Sequence, residues 1–274
     1  MEAIKIKERL PDELKRFMAR SRERDFLLID VRQPQEYAIA HIPGAKLMPL
    51  LELEARLYDL PGDRELIFYC HAGPRAEIAA ILAAEAELSD LPVSVLVGGM
   101  LAWDGHKIVN FPRIQVFDQT AGLPELLKTA MNLEKGAFRY YHALLDRCGH
   151  LPCQPTLAHL AKAEEAHARM LYALWKPHQP DPPSFEELFE ALSGDILEGG
   201  QPLTEVLASL DAVRPENGVR MLEYSLGIEY RAYDLYRSMA ERATEDRARD
   251  HLLAIAQAEK THMRRLAEAI AALV

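Results

Sequence analysis

The sequence predicts two domains of different class: an N-terminal α/β domain with a mostly parallel sheet, and a C-terminal all-α four-helix bundle with a long connection between its second and third helices. Three observations predict this. Residues 1–110 alternate short β-forming runs with helical patterns, as parallel strands joined by helical crossovers require. Residues 111–121 lose that periodicity, with Pro112 inside the segment and Gly122 just beyond it, which puts an interdomain linker there. Residues 122–274 carry helical patterns alone, and parts of them recur at one fixed offset.

In chain order, the first β-forming run is Phe26-Leu27-Leu28-Ile29-Asp30, followed by a helical stretch from Gln33 to Ala40. Glu65–Tyr69 and then Ala76–Ala86 form the next pair; Val93–Val97 and a short helical turn form the last. FYCHAGPRAE (68–77) therefore falls at the carboxyl end of a strand, where open α/β sheets bind their ligands. Beyond the linker, helices are expected over 122–147, 156–175, 216–241 and 244–272. Between the second and third lies a connection that opens with prolines and holds two shorter helical stretches. One long connection among short ones is the ferritin-like connectivity.

At 274 residues and 49% hydrophobic, the chain can bury two separate cores. A formal charge of −10 disfavours nucleic acid and anionic membranes as partners, since both need a basic face. No run of 18 or more apolar residues occurs and the first residues are charged throughout, so a cytoplasmic location and no membrane contact are expected. Three cysteines, Cys70, Cys148 and Cys153, are too few for a disulfide scaffold or for the four thiolates of a rubredoxin-type iron site. The spacing in CGHLPC (148–153) suits either a disulfide or two independent loop thiols.

Sulfur transfer needs a thiolate at neutral pH and a way to hold an anionic persulfide. Cys70 begins a tight loop followed by a helix N-terminus, which offers inward N–H groups and a favourable dipole. Gly73 permits the curl, Pro74 suits a first helical turn, and Arg75 adds fixed positive charge. In order and separation, LLIDVRQPQEYAIAHIPGA (27–45), FYCHAGPRAE (68–77) and VGGMLAWDGH (97–106) closely resemble the three signatures of the rhodanese family of sulfurtransferases, over about residues 3–108. The resemblance implies that Cys70 carries a persulfide with Arg75 beside it, and that His71, Ala72, Gly73 and Pro74 form the surrounding loop. It also implies that Asp30, Arg32 and Glu36 form a supporting polar network. Gly98, Gly99 and Trp103 match the closing motif; Gly98 and Trp103 are read as packing residues, and His41 as a holder of the loop's neighbours. Thiol phosphatases place five residues between cysteine and arginine, whereas four separate Cys70 from Arg75, a shorter loop with too little room for phosphate.

The helical half contains an internal repeat. MNLEKGAFRYY (131–141) precedes LGIEYRAYDLY (226–236) by 95 residues, and AKAEEAHARML (161–171) precedes AQAEKTHMRRL (256–266) by the same 95. The offset pairs Glu134 with Glu229, Tyr141 with Tyr236, Glu164 with Glu259 and His167 with His262. Helical spacing puts all of these on apolar, core-facing stripes. Four carboxylates turned into one core would each cost several kcal/mol unless neutralised. Two metal ions remove that cost, and one Glu from each of two helices with Glu-x-x-His from each of the other two is the di-iron bundle pattern. Glu134, Glu164, His167, Glu229, Glu259 and His262 are the expected ligands, with Tyr141 and Tyr236 orienting them by hydrogen bonds. Glu165, turned about 100° away, is expected in solvent.

Residues 122–274 thus resemble the ferritin-like superfamily, most closely the rubrerythrins, which reduce peroxide at a non-haem di-iron centre. The chain departs from them by having Ala232 where rubrerythrins carry a further glutamate, and by lacking a rubredoxin module. The combined expectation is a bifunctional enzyme of sulfur or oxidative stress, with two iron ions, manganese or zinc being alternatives, and no organic cofactor. Its partners would be a sulfane sulfur donor such as thiosulfate, peroxide or dioxygen, an external electron donor such as a rubredoxin-like protein, and a second copy joined through the bundle. The alternative is a ferroxidase or iron-handling bundle whose rhodanese module carries or senses sulfur.

Overall fold

The structure, a computed structural model, describes residues 6–87, 91–110, 122–148, 152–211, 218–243 and 245–273. The expected linker at 111–121 lies outside these, as do residues 149–151 and the side chain of Cys148, so the fate of the Cys148–Cys153 pair is not described. The chain divides into two compact units, Met1–Phe111 with Ala240–Arg242, and Pro112–Met239 with Ala243–Val274.

The first unit is a five-stranded sheet of β1 (Lys7–Arg9), β2 (Phe26–Asp30), β3 (Lys46–Leu47), β4 (Glu65–Tyr69) and β5 (Val93–Leu96). Their order is β1-β5-β4-β2-β3, and every pairing is parallel. Strands β2 and β4 are buried along their whole length, which is why both read as continuous apolar runs. Helices α1 (Pro11–Arg20), α2 (Pro34–Ile39), α3 (Leu50–Leu53), α4 (Pro74–Glu85) and α5 (Gly99–Ala102) make the crossovers. One core layer joins Leu27, Ile29, Phe68 and Ala76; the other joins Phe26, Leu28, Ile67, Tyr69 and Trp103.

The sequence pattern misses β1, β3, α1 and α3. Strand β1 is the charged triplet Lys-Glu-Arg at a sheet edge, and β3 has two residues, so neither carries an apolar run. Two expected helix boundaries also shift. Helix α2 loses Gln33 and Ala40 to its extended caps, and α4 starts at Pro74, directly after Gly73 at φ 127°.

The second unit has helices α6 (Leu123–Cys148), α7 (Gln154–Trp175), α8 (Phe185–Ala191), α9 (Leu203–Asp211), α10 (Gly218–Ala240) and α11 (Asp246–Ala271). The four long ones share one core that includes Tyr140, Tyr141, Leu157, Leu160, Leu222 and Leu266. The α7–α10 connection contributes Leu197, Leu203 and Val206 to it. No described helix is long and apolar enough to cross a membrane.

Candidate functional sites

Cys70 closes β4 and is buried, while His71, Ala72 and Pro74 form an exposed rim around it. The Gly73 N–H donates to Cys70 Sγ at 3.1 Å. From beneath, the start of α5 holds the loop: the Met100 and Leu101 N–H groups donate to the carbonyls of Cys70 and His71 at 2.9 and 3.0 Å. Gly99, at φ 54°, makes this possible, because a Cβ there would lie 2.3 Å from the Cys70 carbonyl oxygen. Gly99 is therefore a support of the loop, a role that its place in the sequence motif does not reveal.

Arg75 is turned toward Glu36, with two parallel hydrogen bonds of 2.7 and 2.8 Å. Those bonds hold the Glu36 carboxyl at about 2. Glu36 also accepts from the Gln33 N–H at 3.1 Å and so caps the helix that carries it. Asp30 and Arg32 are buried on each other, with Nη2 to Oδ2 at 2.6 Å, and Arg32 reaches the Ala40 carbonyl at 2.7 Å. The His41 ring stacks on Tyr37 at 3.8 Å. Together these bonds fix residues 30–41, the segment that presents Glu36 to Arg75. Trp103 donates from Nε1 to the His106 carbonyl and packs in the core, and Gly98 takes the left-handed turn before α5 at φ 72°.

In the second unit all six residues of the repeat are buried and converge in two sets. Ligand atoms of Glu134, Glu164, His167 and Glu259 lie within 4.8 Å of one another, as do those of Glu164, Glu229 and His262. His167 Nδ1 sits 3.3 Å from Glu134, 3.4 Å from Glu164 and 3.2 Å from Glu259. None of these approaches has hydrogen-bond geometry, and Glu134 Oε2 has no hydrogen-bond partner either. His262 Nδ1 lies 3.0 Å from Glu229 and 3.1 Å from Glu259. The two imidazoles are stacked at 5.2 Å. Ligands bonded to one ion at about 2.0–2.2 Å lie roughly 3 Å from each other, and the His167 set, which has that spacing without hydrogen-bond geometry, could hold an ion.

The buried groups also perturb one another strongly. Burial pushes the Glu229 carboxyl up to about 8, although His262 opposes it. Burial disfavours protonated His262, but Glu229 and Glu259 outweigh that and raise it to about 11. Burial, then the field of Glu229, drives Glu164 well above the usual carboxylate range. Without an ion, the cluster is neutralised by its own protons: against the cost of burial, Glu259 and Glu134 hold His167 protonated as well, and the two imidazoliums, again against burial, hold Glu259 well below the usual carboxylate range.

The tyrosines are crossed. Tyr141, on the helix of Glu134, donates to Glu229, and Tyr236, on the helix of Glu229, donates to Glu134. The 95-residue offset pairs these residues but cannot show which tyrosine serves which glutamate. Glu165 bonds Arg169 at 2.7 Å on the outer face. Two buried carboxyl residues among those described in this unit have no carboxylate counterpart in the repeat: Asp234 on α10, which the offset pairs with Arg139, and Glu198, in the connection between α8 and α9.

Comparison with known proteins bears on the first unit. The Rhodanese-like domain model matches residues 10–106. A sulfurtransferase of Allochromatium vinosum is 34% identical over 82 residues, which are 30% of this chain and 75% of that protein. The thiosulfate:glutathione sulfurtransferase of Saccharomyces cerevisiae is 32% identical over 108 residues, 35% of this chain and 76% of that one. The probable adenylyltransferase/sulfurtransferase MoeZ of Mycobacterium tuberculosis is 42% identical over 82 residues, 29% of this chain; the chain spans 20% of MoeZ's length. With the Cys70 loop, its strand and its supporting turn in place, the chain belongs, through its N-terminal unit, to the rhodanese-like family.

Proposed function

We propose that residues 1–110 transfer sulfane sulfur through a persulfide on Cys70, and that residues 122–274, joined through 111–121, are a ferritin-like bundle holding a rubrerythrin-type pair of iron ions. Thiosulfate is the donor suggested by the relatives. Attack of the Cys70 thiolate on its outer sulfur forms an S–S bond; the bond from that sulfur to the sulfonate group breaks, and sulfite leaves with the electron pair. A nucleophilic acceptor then takes the terminal sulfur and returns the thiolate. The Gly73 N–H steadies the sulfur anion, and Arg75, held by Glu36, adds positive charge within electrostatic reach of Cys70.

In the bundle, Glu134 with His167 and Glu229 with His262 would hold the ions, together with Glu164 and Glu259, which lie near both histidines. When bound, the ions would supply a redox-active site for peroxide or dioxygen. The crossed tyrosines orient Glu134 and Glu229. Electrons would come from a donor such as a rubredoxin-like protein, since the three cysteines of these residues cannot build a rubredoxin-type site. The observation that carries this reading is the buried imidazole nitrogen of His167 among three carboxylates without a hydrogen bond to any. Metal analysis and the optical spectrum of protein produced with added iron test it. Two ions per chain, lost in Glu134→Ala, are expected; a metal-free chain under those conditions refutes it. For the first unit, thiosulfate should add one sulfur atom to Cys70 by intact mass, and no addition refutes it.

A further inference from the structure

The four long helices supply four carboxylates and two histidines in near-symmetric sets, but the segment between α8 and α9 adds a carboxyl that the repeat does not contain. Glu198 has no counterpart under the 95-residue offset, which leads from it to Trp103, outside the bundle. It is 2% exposed, and its Oε2 has no hydrogen-bond partner. A buried carboxylate oxygen left unpaired is costly until a proton or a cation neutralises it.

The segment around Glu198 is anchored against the stretch of α6 that bears Glu134. Asn132 Oδ1 accepts from the Gly194 N–H at 2.9 Å, and Arg139 donates to the Gly194 carbonyl at 3.2 Å and to Asp195 at 3.0 Å. Between these clasps, Gly136 lets the Ile196 carbonyl lie flat on the helix; a Cβ there would sit 2.3 Å from that oxygen. A short turn follows, in which Leu197 N–H donates to the Gln201 carbonyl and Gly200 N–H to the Leu197 carbonyl. Gly199 abuts Arg231 of α10 on the other side. Leu197 is buried in the bundle core, and Glu198 follows it inward. Glu134, Glu164 and Glu259 act on it electrostatically, and it acts on Tyr236, the residue that bonds Glu134, although its oxygens are not among those that converge within 4.8 Å in the two sets above.

We propose that Glu198 is a fifth carboxylate of the metal centre, delivered to the Glu134–His167 half by the clasped α8–α9 segment, and that it makes the two ion positions unequal. This rests on the metal-centre reading above. It gives the chain a further carboxylate by a route other than the third helix, where Ala232 offers none. Four carboxylates balance two divalent ions; a fifth favours the more highly charged pair, and it does so on one side only.

The test is titration of the full-length apo-protein with cobalt(II), followed by optical absorption, for the wild type, Glu198→Gln and Glu198→Asp, with thermal denaturation of each form. The wild type should bind two ions of unequal affinity. Glu198→Gln should weaken the tighter ion by about tenfold or more and change its absorption band, with Glu198→Asp intermediate. Without metal, Glu198→Gln should melt higher than the wild type, because it removes the cost of burying a carboxyl that must be protonated there. Gly136→Ala, which displaces the segment while keeping Glu198, should weaken the same ion. Two ions bound by Glu198→Gln with wild-type affinities and spectrum, or a lower apo melting temperature with metal binding intact, would overturn the proposal and leave the six-ligand centre standing. A wild type that binds no ion would overturn both.

Discussion

Gly99→Ala isolates the support beneath the Cys70 loop. At φ 54° an alanine is strained by roughly 1–2 kcal/mol, offset in part by about 0.4–1 kcal/mol from the less flexible unfolded chain. The larger effect is steric. The new Cβ would lie 2.3 Å from the Cys70 oxygen and 2.9 Å from both the carbon and the oxygen of the His71 carbonyl. Ordinary carbon–oxygen contacts are about 3.3–3.6 Å, so the loop and α5 must part by about 1 Å. Parting stretches the bonds from Met100 N–H and Leu101 N–H, now 2.9 and 3.0 Å. A displacement of about 1 Å at a reacting group costs about 10²-fold in rate, equivalent to about 2.7 kcal/mol of barrier.

Gly98→Ala is the control. Its φ of 72° brings the same kind of strain, but its Cβ would meet Ala102 of the adjoining short helix, with Cβ at 2.7 Å and Cα at 4.0 Å, and not the Cys70 loop. Sulfur transfer from thiosulfate to cyanide, read as kcat/KM beside a thermal melt, separates the two. Gly99→Ala should lose about 10²-fold and Gly98→Ala about threefold or less, with similar losses of stability. A folded Gly99→Ala with kcat/KM within about threefold of the wild type would refute the claim that α5 positions the thiolate.

Three further expectations concern both units. The Arg75–Glu36 pair depresses the Glu36 carboxyl from 4.5 to about 2, so its stabilising contribution is complete above about 4.5 and is lost as the pH falls through about 2; side-chain carboxyl NMR of Glu36 should show this midpoint, and a midpoint near 4.5 would show that the pair does not form in solution. Removal of metal from the bundle by a chelator should lower its melting temperature, since an ion present at 100 times its Kd contributes about 2.7 kcal/mol, and readdition of iron(II) or manganese(II) should restore it. Tyr141→Phe and Tyr236→Phe should each weaken metal binding by about 10–100-fold, because each removes the donor that orients the glutamate of the opposite repeat; unchanged titration curves would mean that these tyrosines only pack.

Legibility in the sequence follows periodicity and repetition. Strands β2 and β4 are buried on both faces, so their apolar runs have the bounds seen in the structure, whereas β1 pairs through its backbone at a sheet edge and needs no apolar side chain. Glu134, Glu164, His167, Glu229, Glu259 and His262 were readable because helical spacing fixes a face and the repeat supplies a second, independent sighting. The crossing of Tyr141 and Tyr236 depends on which helices adjoin, which spacing along one helix does not contain. Glu198 lies deeper still out of reach, in an irregular segment where no period assigns it a direction. The available signal was steric: Gly194, Gly199 and Gly200 punctuate a stretch that also carries Ile196 and Leu197, a composition suited to backbone packed against helices rather than to a solvated loop. Gly136 on α6 is the matching half of that signal, since a glycine inside a helix weakens it by about 1 kcal/mol unless something must approach closely. Glycines facing each other from a helix and an irregular segment therefore mark where such a segment enters a core, and the polar residue next to them merits the scrutiny given to repeated ones.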